Sequence, residues 1–172
     1  MHIRPASVDD IPTIEALYHE AIRFQREGGH PSWQDLDLAV VEKDIAERCQ
    51  YALVLDGQVA GIFSFCPPSL MDSEMWQGLA PESARYINRI IVGQAWKGRQ
   101  LFAPMLDWCE REVHRLGLGV LRLDTWAQST GLIRHYARFG FRRVGERITS
   151  TSDRLPPQYR GIHLVIMEKP IG

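Results

Sequence analysis

The stretch VGQAWKGRQLF, residues 92–102, decides how the rest of the chain is read. The run RIIV precedes it and a long amphipathic pattern follows it. It therefore reads as a strand end, a tight loop and the first turn of a helix. A helix N-terminus presents amides that lack an intrahelical acceptor and carries a partial positive charge, so such a loop is a candidate seat for a phosphate. Loops of that kind usually have two or three glycines, whereas this one keeps Gly98, between Lys97 and Arg99. Taken alone, Lys97-Gly98-Arg99 is also read as a solvated turn between a strand and a helix.

On the C-terminal side, Phe102, Met105, Leu106, Cys109, Val113 and Leu116 form a helical stripe closed by Gly117 and Gly119. VLRLDTW then predicts a strand, residues 130–139 a short helix capped by Gly140, and FRRVGE and HLVIMEK two final strands. Alternation of strand and helix over residues 85–140 predicts a parallel pair inside a mixed sheet, with ligands at the strand ends. On the N-terminal side, residues 2–6 predict a first strand, and Ser7 with Asp10 has the spacing of a capping box. Ile11, Ile14, Leu17, Tyr18, Ala21 and Ile22 share the face of the helix that follows, which Gly28, Gly29 and Pro31 end. A second helix is expected at about residues 36–48, with Leu38, Val41 and Ile45 inward. YALVLDG and QVAGIFSF flank Asp56-Gly57, a hairpin signal, and Pro67 and Pro68 end the second arm. Residues 69–83 read as a loop or irregular helix before the strand ARYINRIIV.

The 172 residues, 45% of them apolar, suffice for one domain, 1–172, with a buried core. Twenty basic against twenty-one acidic residues leave no global field to gather nucleic acid or a membrane surface, and RRVGER is one short basic cluster. Any anion site must be local. Cys49, Cys66 and Cys109 are odd in number, widely spaced and without a CxxC pattern. Neither a disulfide framework nor a metal site is expected, and a reducing cytoplasm fits. The polar start MHIRPASVDD and the absence of a long apolar window predict no targeting or membrane segment.

The order of these elements, the IIV before the loop and the later HYARFGF together resemble the GNAT superfamily of acyl-CoA-dependent N-acetyltransferases over almost the whole chain. The resemblance implies an α/β (α+β) fold, a mixed and mostly antiparallel sheet with a parallel central strand pair, flanked by helices. The family's loop, (Q/R)xxGx(G/A), matches Lys97, Gly98, Arg99, Gln100, Leu101 and Phe102, with Gln100 and Phe102 at the two usual glycine positions. The family's NxxAxxxYxxxGF helix matches STGLIRHYARFGF: Tyr136 takes the tyrosine position, Gly140-Phe141 the ending and Ser129 the asparagine position. The early SWQD and the RLDTW strand resemble one subgroup of the family. The implied activity is transfer of an acetyl group from acetyl-CoA to the primary amine of a small molecule, or less readily of a peptide or protein. The alternative is a GNAT fold kept as an inactive acyl-CoA-binding or regulatory module, which Gln100, Phe102 and Ser129 motivate.

Such a transfer needs a neutral amine, stabilisation of a tetrahedral oxyanion and a proton for the departing thiolate. The resemblance assigns the backbone of Ile90, Ile91 and Val92 to the pantetheine arm, and Ser129 and the loop to the same cofactor. Tyr136, with an ordinary phenol pKa of about 10, is the candidate proton donor; its other reading is an aromatic packed on the sheet. Asp124, at the end of its strand, is the candidate base, although it could equally hold Arg122, Arg134 or a loop amide. Glu27 and His30 are weaker candidates, and His135 and His163 read as surface or core histidines. Trp33, Trp76 and Trp126 fall in loops or at a strand end, as candidates for a pocket wall, and plain packing is the other reading of Trp33. Gln34, beside Trp33, reads a polar substrate or caps the second helix with Asp35. A homodimer is expected through HLVIMEK, taken as an apolar strand on a sheet edge.

Overall fold

In the computed structural model of the chain, which describes residues 1–79 and 84–172, β1 (His2–Pro5) leads through a 3-10 turn at Val8–Asp10 into α1 (Ile11–Glu27). Ser7 donates to Asp10 Oδ2 from N at 2.8 Å and from Oγ at 3.2 Å, and Arg4 donates to both carboxylate oxygens at 2.7 Å. The Arg4 bond is the main reason the Asp10 carboxyl is pulled down to about 2. Ile14, Leu17, Tyr18 and Ile22 then form the buried face expected of α1.

The helix α2 (Leu38–Ala46) begins two residues later than expected because Asp37 is its cap and accepts from Val40 N. β2 (Gln50–Leu55) and β3 (Gln58–Cys66) form the expected hairpin, with Asp56 and Gly57 at φ 52° and 78° in its turn. Next comes α3 (Leu70–Met75), a short helix where the sequence left loop and irregular helix open. Ser69 donates to Asp72 from N at 2.8 Å and from Oγ at 2.6 Å, a second capping box like that at Ser7. The rest of that expected segment, residues 80–83, lies outside the described residues. β4 (Ala84–Val92), α4 (Phe102–Arg115), β5 (Val120–Trp126), α5 (Thr130–Arg138), β6 (Arg142–Ile148) and β7 (His163–Pro170) complete the order.

The strands form one sheet in the order β1-β2-β3-β4-β5-β7-β6. β4 and β5 are parallel, while β1–β2, β2–β3, β5–β7 and β6–β7 are antiparallel. The fold is thus the mixed, mostly antiparallel sheet with one parallel pair, flanked by helices, that was expected. One expectation is corrected: HLVIMEK is not an edge. β7 is hydrogen-bonded on both sides, to β5 and β6, and its Leu164, Val165, Ile166 and Met167 are buried. The outer strand is β6, whose Arg142, Arg143, Glu146 and Arg147 suit exposure and discourage pairing with another chain.

The chain divides into two compact units, Met1–Cys66 with Ile87–Cys109, and Pro67–Tyr86 with Glu110–Gly172. In the first, Ile14, Leu17, Tyr18, Val41, Ile62 and Ile91 form one apolar cluster, and Trp108 packs on Tyr51, Phe63 and Phe65 with ring centroids 4.4, 5.7 and 5.5 Å away. In the second, Met75, Trp76, Ala84, Tyr86, Leu164 and Ile166 form the core. Among the described residues, no helix is long and apolar enough to cross a membrane.

Candidate active site

In the first unit, the apolar end of β4 supplies Ile90, Ile91 and Val92. Ile91 is buried and its two neighbours are half-buried. The strand turns sharply just before them, because Arg89 has φ 50°, in the left-handed region that side-chain-bearing residues disfavour. On β3, Gly61 leaves room for the strand end: a Cβ there would lie 2.7 Å from both the Ile91 carbonyl oxygen and Met105 Cε. Gly93 N donates to Ala60 O at 3.0 Å as the chain leaves the sheet.

The loop that follows makes a 3-10 turn at Gln94–Trp96, then passes through Gly98 at φ 81° and Gln100 at φ 54° before α4 begins. Gln100 thus keeps the left-handed backbone a glycine would take, with its side chain exposed. Leu101 and Phe102 are 6% and 7% exposed and head the buried stripe of Met105, Leu106, Cys109 and Val113. Phe102 therefore belongs to the core of its unit, and a glycine there would leave that position empty. The charges expected to serve an anion rest on aromatic rings of the same unit. Lys97 Nζ lies 3.0 Å from the centroid of the Phe24 ring, and the Arg99 guanidinium 5.0 Å from that of Trp96. Desolvation against α1 lowers the Lys97 pKa, and nearby Glu20 opposes this. Glu20 Oε2 also accepts from Gln94 N at 2.8 Å.

The residues of this unit that were expected to meet a substrate are packed. Trp33 is half-buried against the Ile14 cluster, its ring 5.5 Å from that of Tyr18. Arg26 donates to the carbonyls of Trp33 and Gln34. Asp35 accepts from Leu36 N, and the cap of α2 is Asp37, so Gln34 and Asp35 do not cap that helix.

In the second unit, the two-residue alternation of β5 puts Arg122, Asp124 and Trp126 on one face. Arg122 is 3% exposed; it donates to Tyr86 Oη at 3.3 Å and Glu168 Oε2 at 3.5 Å and lies 4.0 Å over the Trp76 ring. Trp76, in the turn that follows α3, is thus a buried residue with a cation on its face, and Trp126 packs half-buried against the same cluster. Asp124 is half-buried, opposite Ile166 of β7. Tyr136, on α5, has its ring 6.1 Å from Phe141. Burial, and secondarily the Asp124 carboxylate, push its phenol well above the ordinary range, so the two expected catalytic residues are electrostatically coupled. Ser129 precedes α5 and its carbonyl accepts from Ile133 N at 3.1 Å. The depressed pKa of His135, from burial and then Arg138, keeps it neutral at physiological pH.

Sequence reasoning missed the polar cluster behind β4. Asp44, Gln50 and Ser64 are all buried, and Arg89 reaches Asp44 and Ser64. A signal existed: Asp44 falls on the inward phase of α2 beside Val41 and Ile45, where a carboxylate needs a cationic partner.

The mixed sheet with one parallel pair, and the loop that joins β4 to α4, are the architecture expected of an acyl-CoA-dependent N-acetyltransferase. The Acetyltransferase (GNAT) family model matches residues 14–141, so the chain belongs to that family and is an acyltransferase. Its sequence is 27% identical over 146 residues to the uncharacterized N-acetyltransferase YesJ of Bacillus subtilis, covering 82% of this chain and 81% of YesJ. A GNAT-family acetyltransferase structure from Listeria monocytogenes superposes with a TM-score of 0.80 at 24% identity, covering 98% of this chain and 94% of that one. The yncA acetyltransferase of Salmonella typhimurium, solved with its cofactor acetyl-CoA, superposes with a TM-score of 0.68 at 19% identity, covering 100% and 94%.

Proposed function

We propose that this protein transfers the acetyl group of acetyl-CoA to the primary amine of a small molecule. The observation that carries the proposal is the loop before α4, which keeps left-handed residues at Gly98 and Gln100 although one of them is no longer glycine. Its amides and the α4 dipole suit a pyrophosphate, and a Cβ at Gly98 would meet nothing within 4 Å, so the loop has open space beside it.

Acetyl-CoA, when bound, supplies an acyl group already activated as a thioester. The amides of residues 90–92 hold its pantetheine arm and donate to the carbonyl oxygen as charge develops there. Tyr136 gives its proton to the departing sulfur; its raised pKa keeps that proton in place through neutral pH. Asp124, whose negative charge is felt at Tyr136, takes a proton from the amine directly or through water. Ser129 is proposed to meet the cofactor, and Trp33, Gln34 and Trp126 are proposed as contacts of the acceptor. The segment after α1 is short, packed on Tyr18 and pinned through its carbonyls by Arg26, which supports a small acceptor over a long peptide. The three cysteines carry free thiols, which supports a reducing cytoplasm.

The test is thiol release from acetyl-CoA across a panel of small primary amines and of peptides with free N-termini. Turnover with small amines is expected. Turnover confined to peptides would overturn the acceptor class, and no thiol release with any amine would overturn the activity.

A further inference from the structure

Within Met1–Cys66 and Ile87–Cys109, buried polar groups from α2, β2 and β3 converge on one side chain of β4. The Arg89 guanidinium donates to the Asp44 carboxylate, and to Ser64 Oγ from Nε at 3.2 Å and from Nη2 at 2.9 Å. Ser64 Oγ donates onward to Gln50 Oε1 at 3.1 Å, and Gln50 Nε2 to the Phe63 carbonyl at 3.0 Å. Gln50 and Ser64 are fully buried, and the side chains of Arg89 and Asp44 are 15% and 9% exposed. None of these side chains takes part in the proton transfers described above.

A buried ion pair is weak evidence for stability, because desolvation offsets much of its attraction. Here the arginine that forms it is also the left-handed residue of the strand, at φ 50°. Such a conformation persists in a non-glycine residue only where its surroundings over-determine it. An extended residue 89 would shift the alternation that follows and change the face on which residues 90–92 present their amides. The absence of a side chain at Gly61, against the Ile91 carbonyl, fits a strand held in the turned course.

We propose that Arg89 is a positioning residue: clamped by Asp44 and Ser64, it holds the left-handed turn in β4 that aims the amides of residues 90–92 at the thioester arm of acetyl-CoA. The inference rests on the acetyl-CoA reading above. It makes a specific demand, that the side chain matters through the backbone angle it enforces.

Glycine adopts that angle without help and alanine does not, which separates the turn from the ion pair. Removing Arg89 alone would strand a buried carboxylate, so both variants are made with Asp44→Asn: Asp44→Asn/Arg89→Gly and Asp44→Asn/Arg89→Ala. Acetyl-CoA affinity is measured by calorimetry on the full chain, and the backbone shifts and couplings of residues 89–92 are measured without ligand. The alanine variant should bind about tenfold more weakly than the glycine variant, the scale of a left-handed backbone penalty, and should lose the positive φ that wild type and the glycine variant keep. A purely structural role predicts the opposite order, because glycine loosens the chain more than alanine does. Equal affinities, or a left-handed residue 89 in the alanine variant, would overturn the inference. A wild-type chain that binds no acetyl-CoA would overturn the proposed function and with it the purpose of the turn. The ligand-free spectra tell that failure apart from a turn that never depended on Arg89.

Discussion

Gln100, with Phe102, occupies one of the two usual glycine positions of the loop, and its backbone sets the effect of replacing it. At φ 54° it sits in the left-handed region, where a residue bearing a Cβ is disfavoured by about 1–2 kcal/mol relative to glycine. Gln100→Gly relieves that strain but enlarges the conformational freedom of the unfolded chain, a loss of about 0.4–1 kcal/mol. The net expectation is a gain of between about 0 and 1.6 kcal/mol, or a melting temperature between unchanged and about 3–6 °C higher in a chain of this size. Gln100→Val, branched at Cβ, should instead lose stability, since its side chain fits the left-handed region worst. Because the glutamine side chain is exposed, Gln100→Gly should change acetyl-CoA affinity by no more than about threefold, well under the tenfold of 1.4 kcal/mol. Thermal melts and calorimetric titration of the three proteins check both numbers. A clear drop in melting temperature for the glycine variant, or an affinity gain above tenfold, would refute the reasoning: the side chain would then be supporting the loop or obstructing its amides.

Tyr136→Phe should leave acetyl-CoA affinity unchanged and lower the turnover number by about 10²-fold or more, the usual scale of a lost general acid; steady-state kinetics with the best amine checks this. The phenol's raised pKa adds stability that is fully present below its unfolded value, about 10, and is lost as pH rises above it, so alkaline unfolding should be shallower in Tyr136→Phe than in wild type. Asp10, pulled down to about 2, contributes stability that is present above about pH 4 and lost as pH falls through about 2. With Arg4 38% exposed, that contribution is about 1–2 kcal/mol, and denaturant titrations from pH 5 to pH 2 should show it vanish in Asp10→Asn. Gly61→Ala puts a Cβ 2.7 Å from the Ile91 carbonyl oxygen and should destabilise by about 1–3 kcal/mol, read as a lower melting temperature.

Much of this protein was legible because its signals are local. Ser7 and Asp10, Asp56 and Gly57, and the Phe102 to Val113 stripe each act within a few residues, and each produces the element the sequence predicts. The same local rule would have found α3, since Ser69 and Asp72 repeat the Ser7–Asp10 spacing; the mixed composition after it obscured the signal. The place of HLVIMEK was illegible for a different reason. Whether a strand is an edge depends on which strand pairs beyond it, and β6 precedes β7 in sequence but lies outside it in the sheet. In the candidate site, the loop could be found from residue types, whereas the angle that lets Gln100 replace glycine could not. Neither could the turn at Arg89, because it is fixed by Asp44 and Ser64, which lie 45 and 25 residues away along the chain.

The most direct test of the central claim is calorimetric titration of the folded 172-residue chain with acetyl-CoA, beside dephospho-CoA and acetyl-pantetheine. A glycine-like loop at the start of α4 predicts saturable binding of acetyl-CoA that weakens as phosphates are removed and is weakest for acetyl-pantetheine. Equal affinity for all three, or no binding by a chain shown to be folded, would contradict it and leave residues 92–102 as a solvated turn.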